Sequence, residues 1–558
     1  MDNYSIADKF SLLAKLMDIH GDNSFKAKSY SSAAFTIEKL PVQLSSIPEE
    51  KIFSIKGIGD SIGKSIIEQL QTGELSALNE YILKTPPGVI EMLHIKGLGP
   101  KKISTIWKEL EIETLGELLY ACNENRLTMY KGFGEKTQQN IKESIEFYIG
   151  TLGSYLYQQI EEFALLVDSR LKEQFSQDLW SITGTFRMQH EIIDQLQWIT
   201  TLDLNSLKTF FAKGEYTITK ETTEEISFRG KENVVLSFLL SDKNNFYKQL
   251  FTSSCSEDFL KEWNCVTQWD QQQLYPSEEA IFSSCNIQFI PAFQREKANI
   301  ISLAKQAALV NVIQPTDIKS IIHSHSKWSD GVNSIEEMAN ECIARGFEYL
   351  VISDHSKSAF YANGLTEERL VAQHKEISEL NTKLAPFKIF KSIESDILND
   401  GRLDYSDEIL SRFDVVIASI HSNLKMPEEK AMMRLLNAIE NPFTSILGHM
   451  TGRLLLSRNG YPVDHKKIID ACAANNVVIE LNAHPRRLDI DWRWIDYALE
   501  KNVLISIDPD AHSIEGYDDC RYGVLVAQKA GLTKEKNLSS FSLNDFEVFI
   551  AEQKMKRK

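Results

Sequence analysis

Side chains of the kinds that bind metal ions recur from residue 323 to the end of the chain, each at or just after an apolar, strand-like run. A single histidine after a strand is most often a hydrogen-bonded loop residue, so one such position alone would indicate little. Nine of them in one region instead indicate a multinuclear metal site, because imidazole and carboxylate groups are common ligands of catalytic metals. The nine residues are His323, His325, Asp330, His355, Glu394, His421, His449, Asp510 and His512.

The spacing of these residues fits shared ions. His323 and His325 are separated by one residue, and so are Asp510 and His512. Side chains at i and i+2 of a strand point to the same side, so the members of each pair reach one ion or neighbouring ions. Glu394 has two carboxylate oxygens and can bridge two ions. The mixture of nitrogen and oxygen ligands suits Zn²⁺ or Mn²⁺, and it also admits Fe.

The elements that would position these residues alternate between strands and helices from about residue 317. Helical stretches such as SIEEMANECIARG and EKAMMRLLNAIEN separate seven strand-like runs. This alternation predicts a parallel (β/α) barrel, whose active-site residues lie at the C-terminal ends of the strands. The seven runs are IKSIIHSH, YLVISD, FKIFKSIES, DVVIASIH, TSILGH, VVIELNA and VLISIDPD.

The whole chain has 558 residues, which is too long for one hydrophobic core. Its net charge of −17 argues against a broad polycationic surface, so any contact with nucleic acid depends on local geometry. No apolar run is long enough to span a bilayer, and the first residues lack a signal-peptide core. The seven cysteines form no C-x-x-C pair, which argues against a disulfide framework or a thiolate zinc site. We therefore expect a cytoplasmic protein without membrane contact.

A short glycine pattern occurs three times within residues 1–150, where apolar residues follow helical spacing. The copies are SIKGIGDSIGKSI, HIKGLGPKKISTI and YKGFGEKTQQNI, and in each a Gly-x-Gly precedes a new helix. The glycines permit positive φ, and the N-terminus of the following helix presents unpaired N–H groups that suit a phosphate oxygen. One copy could be a plain helix–helix turn, whereas three copies favour contact with a nucleic-acid backbone.

These segments resemble helix-hairpin-helix motifs, which hold the DNA backbone without reading its bases. The resemblance implies contacts to phosphate through the paired glycines and through lysines near each turn. The residues concerned are Gly57, Gly59, Lys64, Gly97, Gly99, Lys101, Lys102, Gly132, Gly134 and Lys136.

Residues 1 to about 315 together resemble the core of family X DNA polymerases. The family's catalytic signature has a Gly-Ser turn and an arginine before an Asp-x-Asp pair, and GTFR at 184–187 fits its start. An ungapped comparison places Gln195 and Gln197 at the two aspartates and Val235 at the third carboxylate. Glutamine is neutral and cannot supply the charge that holds Mg²⁺, so we expect polymerase activity to be lost.

Neighbouring residues offer substitutes for the groups that this family uses. A shift of register would bring in Asp194 or Glu191, although neither restores an Asp-x-Asp pair. The family's lyase lysine falls on Ser65, and a Schiff base needs an amine. Lyase chemistry is therefore expected only if Lys64 takes that role.

The C-terminal part closely resembles the polymerase and histidinol phosphatase (PHP) domain, with the motifs H-x-H-x4-D-G, D-H, E, S-x-H, G-H and D-x-H in that order. The resemblance implies a distorted (β/α)7 barrel that holds two or three divalent ions and hydrolyses phosphate esters with metal-bound hydroxide. It implies one ion at His323, His325, Glu394 and Asp510, a second at Glu394 and His421, and a third at Asp330, His355, His449 and His512.

Two arginines and three acids near these ligands have less specific motifs. Arg453 and Arg487 match basic positions in PHP domains that carry a polymerase-like half. We expect them to anchor phosphate, since guanidinium binds phosphate through two hydrogen bonds, and an ordinary salt bridge is the alternative. Asp354, Asp396 and Glu480 either accept hydrogen bonds from the ligands or cap helices.

Together these features predict a multidomain protein with an α-helical helix-hairpin-helix region, an α/β polymerase X-like palm and thumb, and a C-terminal PHP barrel. The predicted domains are 1–80, helical with the first hairpin; 81–150, fingers-like with two hairpins; 151–240, a degenerate palm; 241–316, thumb-like with a linker; and 317–558, the PHP phosphoesterase.

The pairing of a DNA-binding frame with a phosphoesterase favours DNA as the substrate. We expect a metal-dependent phosphoric ester hydrolase that acts as a 3′→5′ exonuclease or processes 3′ ends and abasic sites in DNA repair. Gapped DNA or free 3′ ends would be its partners, and the protein would be a monomer. The alternatives are a small-molecule phosphatase of the histidinol phosphatase type, a non-catalytic DNA-binding scaffold, and a still-active repair polymerase.

Overall fold

The computed structural model describes residues 2–123, 126–151, 153–230, 233–456 and 459–557. The chain forms two compact units, Met1–Leu152 and Gly153–Lys558. No helix among these described residues is long and apolar enough to cross a membrane.

The first unit is helical, as the spacing of its apolar residues predicts. Buried residues of α1 such as Phe10, Leu13 and Met17 recur every three or four positions and form one core with residues from the later helices. The helices are α1 Asn3–His20, α2 Ser24–Glu38, α3 Glu49–Ile52, α4 Asp60–Thr72, α5 Ser76–Lys84, α6 Pro87–Glu91, α7 Pro100–Lys108, α8 Leu115–Asn123 and α9 Glu135–Thr151.

The second unit begins with a five-stranded sheet in the order β2-β4-β7-β6-β5. Strands β4 and β7 are parallel neighbours, and the other pairs in this sheet are antiparallel. The long helix α10 packs its apolar face against the sheet and shares its core. The elements are β1 Tyr155–Leu156, α10 Tyr157–Gln174, β2 Trp180–Thr183, α11 Gly184–Arg187, β3 Ile192–Ile193, β4 Gln195–Thr200, α12 Leu204–Phe211, β5 Thr217–Glu221, β6 Glu225–Arg229 and β7 Val235–Leu240.

A small helical layer follows this sheet and has its own aromatic core. The guanidinium of Arg295 is fully buried there, 5.3 Å from the ring centroid of Phe251 and 5.1 Å from that of Phe282. It donates to Glu278, which also pairs with Arg187 of α11, so the layer is tied to the sheet. The helices are α13 Phe246–Thr252, α14 Glu257–Val266, α15 Glu278–Ser284 and α16 Ile300–Lys305.

Seven parallel strands form the barrel that the alternating pattern predicts, in the order β8 to β14. A parallel bridge between Ser324 and Ala511 joins the segments that follow the first and last strands, so the sheet is nearly closed. The strands are β8 Ser320–Ile321, β9 Tyr349–Ile352, β10 Lys388–Asp396, β11 Val415–Ser419, β12 Ile446–Leu447, β13 Val478–Asn482 and β14 Ile505–Asp508.

Helices surround the barrel, and the last one closes its N-terminal end. Alternate strand residues such as Val351 and Ile417 share a core with Phe546 and Ile550 of the last helix, α24. Their sequence neighbours face the outer helices instead. The helices are α17 Ile335–Ala344, α18 Glu367–Lys383, α19 Asp407–Leu410, α20 Glu428–Ile439, α21 His465–Asn475, α22 Ile495–Glu500, α23 Cys520–Lys529 and α24 Leu543–Met555. The candidate site lies at the opposite, C-terminal end of the barrel.

Candidate metal centre and nucleic-acid interface

The nine residues predicted as ligands lie together at the C-terminal end of the barrel. Glu394 lies near the end of strand β10, while His421 and His449 each come two residues after a strand ends. The bridge that closes the barrel brings the segment of His323 next to the segment of Asp510. Parallel strands end at the same edge of a sheet, so residues far apart in the sequence meet there.

Three groups of these side chains have potential ligand atoms within 4.8 Å of one another. Glu394 belongs to two of them, and its oxygens face different histidines. Its Oε1 lies 3.1 Å from His421 Nε2, and its Oε2 lies 3.0 Å from His355 Nδ1. Glu394 is therefore in the position of a bridging carboxylate. The groups are His323, His325, Glu394 and Asp510; His355, Glu394 and His421; and His325, Asp330, His355 and His512.

Two separations within the first group fit ligands that share a metal ion. His323 Nε2 lies 3.5 Å from Glu394 Oε1 and 3.5 Å from Asp510 Oδ1, which is longer than an ordinary hydrogen bond. Ligand atoms about 2.0–2.2 Å from a tetrahedral zinc ion are about 3.3–3.6 Å apart. The residues present therefore fit a divalent cation.

His449 occupies a different place from the one that the family resemblance implied. Its Nε2 lies 3.0 Å from Glu394 Oε1, and its ring centroid is 5.2 Å from that of His421. His325 lies beside Asp330 in the third group instead. The reason is strand order, because β12 neighbours β11 and is separated from β9 and β14 by other strands. The expected assignment of His449 to the third ion is therefore corrected: His449 lies beside Glu394 and His421.

Two acids whose role the sequence did not decide contact ligand imidazoles at the ring nitrogen that faces away from Glu394. Glu480 Oε2 lies 2.6 Å from His323 Nδ1, and Asp396 Oδ1 lies 2.5 Å from His421 Nδ1. In both rings the other nitrogen, Nε2, faces Glu394. A carboxylate on one imidazole nitrogen fixes the tautomer and orients the other toward a metal. These contacts favour the hydrogen-bonding interpretation over helix capping.

The third acid, Asp354, acts on the loop that carries a ligand. It accepts hydrogen bonds from the backbone N–H and hydroxyl groups of Ser326 and Ser329, and from Gln373. These bonds fix the turn that ends at Asp330.

Asn482 contributes to the site although sequence reasoning missed it. Its amide donates to Asp510 Oδ2 at 3.1 Å and to Glu480 Oε1 at 3.0 Å. The signal that could have found it is its position two residues after Glu480 on the same strand, which places both side chains on one side.

Neighbouring imidazoles favour the ionised form of two buried carboxylates in the cluster. Burial disfavours ionisation of Glu394, but the imidazoles of His421 and His323 outweigh it and hold the pKa of Glu394 well below its ordinary value. The pKa of Asp510 is likewise held well below its ordinary value, because His323 outweighs burial. Two anionic groups are thus maintained in a buried position, which a cation site requires.

The histidines of the cluster differ in protonation. Burial, together with the neighbouring His512 and His355, lowers the pKa of His325 to about 3, so its imidazole is neutral as metal ligation requires. Burial opposes charge on His421 too, but the carboxylates of Glu394 and Asp396 outweigh it and raise the pKa of His421 to about 10. His421 would therefore release a proton on binding a metal.

The two predicted phosphate anchors have different surroundings. Arg453 pairs with Asp491 at 2.7 Å and donates to the backbone oxygens of Arg487 and Leu488. Those contacts match the ordinary salt bridge that was the alternative for Arg453, and they use each of its guanidinium nitrogens. Arg487 instead reaches the metal ligands, with Nε 3.6 Å from Asp510 Oδ2. Only Arg487 of this pair stands at the edge of the cluster.

The three glycine segments form the hairpin turns that their pattern predicts. The first glycines, Gly57, Gly97 and Gly132, have φ of 92°, 90° and 94°, which favours glycine over other residues. Helices α4 and α7 begin directly after Gly59 and Gly99, and neither N-cap makes a side-chain hydrogen bond. These two helix starts leave backbone donors for a phosphate.

The lysines at these turns are not equivalent. Lys64, Lys101 and Lys136 are exposed. Lys102 donates to the backbone oxygen of Gly97 at 3.1 Å and lies 5.8 Å from the Phe133 ring centroid, so its ammonium is engaged within the hairpins.

The positions compared with the polymerase carboxylates are neighbours in the sheet. Gln195 of β4 lies opposite Val235 of β7, and Gln197 lies opposite Ser237. A Cβ atom on Gly184, whose φ is 63°, would come 2.1 Å from Gln197 Oε1, so this glycine and this glutamine are closely packed.

The nearby acids have other partners. Asp194 accepts from Ser154 at 2.5 Å, and the buried Glu191 lies 3.3 Å from Arg493 Nη1. At the first hairpin, Ser65 is buried with its hydroxyl 3.3 Å from that of Tyr30, while the adjacent Lys64 is exposed.

Comparison with known protein families gives three matches. Residues 1–75 match a helix-hairpin-helix domain, residues 89–146 match a SAM-like helix-hairpin-helix tandem, and residues 322–484 match the PHP domain. The fold and the site thus define a PHP-type phosphoester hydrolase with helix-hairpin-helix domains attached.

Comparison with individual proteins gives more specific similarities. The chain is 33% identical to the DNA polymerase/3'-5' exonuclease PolX of Bacillus subtilis, over 96% of this chain and 97% of that protein. A probable phosphatase of Thermoanaerobacter sp. is 26% identical over 42% of this chain and 95% of its own length. A probable phosphatase of Caldanaerobacter subterraneus is 29% identical over 29% of this chain and 60% of its own length. The chain belongs to the PolX family.

Proposed function

We propose that this chain is a metal-dependent 3′→5′ exonuclease that acts on DNA ends during repair, with the PHP barrel as its active domain. The observation that carries the proposal is the buried cluster of imidazoles and carboxylates around Glu394. The Bacillus subtilis relative is named as a DNA polymerase/3'-5' exonuclease, which agrees with this chemistry. The helix-hairpin-helix domains favour DNA over a small phosphate ester, because they provide a means of holding its backbone.

In this proposal the nine cluster residues hold two or three divalent ions, Zn²⁺ or Mn²⁺ with Fe as a further candidate. Such ions would lower the pKa of water and neutralise charge on the phosphoryl oxygens. Glu480 and Asp396 keep the imidazoles of His323 and His421 oriented. Arg487 binds a phosphate oxygen of the DNA at the edge of the cluster, since guanidinium offers two parallel donors.

The experiment that tests this function uses a 5′-labelled oligonucleotide with a free 3′ end. We expect Mn²⁺-dependent shortening from the 3′ end, stopped by a chelator and restored by added metal. A gapped duplex should be shortened at the 3′ end within its gap. Intact oligonucleotide together with turnover of a small phosphate ester would instead establish the small-molecule phosphatase.

We also propose that the polymerase-like half has lost nucleotide transfer. Gln195, Gln197 and Val235 supply no anionic charge, and two Mg²⁺ ions need carboxylates to hold them between strands β4 and β7. We expect no extension of a primed template with Mg²⁺ and deoxynucleotides. The contradicting result is extension of the primer at a rate that neither Gln195→Ala nor Gln197→Ala changes. That result would show that a different set of residues binds the metals.

The hairpins should hold DNA through phosphate contacts. Replacing Lys101 and Lys136 together by alanine is expected to weaken duplex binding equally for all sequences. The slope of log K against log salt concentration should become shallower by about 0.9 for each phosphate that is no longer neutralised. Lys375→Ala is a suitable control, because that lysine is 79% exposed on barrel helix α18. An unchanged slope in the double variant would place the DNA elsewhere.

A further inference from the structure

The segment 484–493, here called the rim segment, meets the metal cluster on one side and residues of the segment 151–240, here called the palm-like region, on the other. Strand β13 ends just before it, and Arg487 within it reaches Asp510 of the cluster. On its other side, Pro485 and Leu488 line a small cavity together with Tyr157 and Glu191 of the palm-like region. Because the rim segment contacts both, the palm-like region can influence where the rim segment lies relative to the metal cluster.

Contacts from the palm-like region hold the far end of the rim segment. Arg493 Nη1 lies 3.3 Å from Oε1 of the buried Glu191 and 3.0 Å from Oδ1 of Asp491. Both carboxylates therefore share one guanidinium group.

A buried lysine reinforces the same junction. Lys529 of α23 donates to the backbone oxygen of Met188 at 2.6 Å and lies 3.0 Å from Glu296. Its ammonium is also 4.8 Å from the ring centroid of Trp492, within the rim segment. The charge of Lys529 is buried and is neutralised by Glu296, so this junction is costly to separate.

A second arginine continues the connection toward the metals. Asp491 Oδ2 accepts from Arg453 at 2.7 Å. The same guanidinium donates to the backbone oxygen of Arg487 at 2.9 Å and to that of Leu488. The contacts thus form a continuous series from Glu191 through Arg493 and Asp491 to Arg453. Arg453 in turn holds the backbone of Arg487, whose side chain lies beside Asp510.

We propose that Glu191 and Arg493 are positioning residues for hydrolysis, which act by holding the rim segment so that Arg487 stays at the edge of the cluster. This inference rests on the proposed function. A polymerase-like region without its carboxylates would then retain a role, as the support of the nuclease site. The carboxylates that Arg493 pairs with, Glu191 and Asp491, both lie outside the metal cluster, so Arg493 makes its ion pairs with the rim segment and the palm-like region and not with a metal ligand.

A double-mutant cycle tests the proposal with the full-length chain and a 5′-labelled oligonucleotide in Mn²⁺. Arg493→Ala is expected to lower kcat/KM on DNA about tenfold, mainly through KM, with metal content unchanged. Arg487→Ala should do the same, and the double variant should lose no more than Arg487→Ala alone, because both changes remove one interaction. Arg493→Lys should restore part of the loss.

The matched control is Arg412→Ala. Arg412 pairs with Glu408 at 2.9 Å, its side chain is 45% exposed against 52% for Arg493, and it lies before strand β11, at the opposite end of the barrel. Its substitution should leave kcat/KM unchanged. Additive losses from Arg493→Ala and Arg487→Ala would overturn the proposal, and so would wild-type kinetics for Arg493→Ala.

A second readout separates this inference from the proposed function. Backbone amide exchange of the peptide covering 484–493 should be faster in Arg493→Ala than in the wild type, with exchange of the other barrel strands unchanged. If the wild-type chain does not shorten DNA, the proposed function fails, and the exchange experiment still decides whether Arg493 holds the rim segment. Equal exchange in both proteins would overturn the positioning role.

Discussion

Replacing Glu394 by glutamine is expected to abolish hydrolysis, with a loss of at least about a thousandfold in kcat, or about 4 kcal/mol. Glutamine has nearly the same shape but is neutral, so it removes the anionic oxygens that face His421 and His355. Since Glu394 belongs to two ligand groups, more than one ion should be affected. The measurement is single-turnover shortening of a labelled oligonucleotide in Mn²⁺.

The control for this variant is Glu408→Gln. Glu408 lies on α19, its side chain is 81% exposed, and its substitution should change neither activity nor metal content. Thermal unfolding without metal should show that Glu394→Gln is folded, because the substitution preserves side-chain volume in a buried site. A folded Glu394→Gln protein that retains a tenth of wild-type activity would contradict a bridging role.

The second large effect is expected from Glu480→Gln. Glu480 accepts from His323 Nδ1 and from the backbone N–H of His449, so it orients two residues of the cluster. An amide in its place can present a donor to His323 and favour the wrong tautomer. Loss of a carboxylate behind a ligand imidazole typically costs about 10- to 100-fold in metal affinity or activity, so we expect a decrease of that size here.

Metal titration distinguishes this effect from that of Glu394→Gln. Activity of Glu480→Gln should rise toward the wild-type value as Mn²⁺ is increased, because the ligands themselves remain. The same titration of Glu394→Gln should restore nothing. If the wild type and Glu480→Gln have equal activity at limiting Mn²⁺, the hydrogen bond from His323 to Glu480 is not what orients the ring.

Much of the barrel could be predicted from the sequence because its signals are local. An apolar run of strand length followed by His421 or His449 is visible in a few consecutive residues. The C-terminal ends of parallel strands meet at one edge, so the nine residues could be expected to converge without knowledge of their contacts. The hairpin glycines were equally visible, since a positive φ favours that residue type.

The partners of individual side chains could not be predicted in the same way. The place of His449 depends on which strand neighbours β12, and the motif order does not contain that information. The contacts of Arg453 come from residues 34 to 38 positions away in a folded loop. The pairing of Glu191 with Arg493 joins residues 302 positions apart, and no periodicity indicates it.

The most direct test of the account is the metal content of the purified chain after dialysis against metal-free buffer and reloading with Mn²⁺ or Zn²⁺, measured by elemental analysis. The account predicts two or three ions per wild-type chain and at least one ion fewer in Glu394→Gln, with nuclease activity following the bound metal. A wild-type chain that shortens DNA while binding no divalent ion, or equal metal content in both proteins, would contradict it.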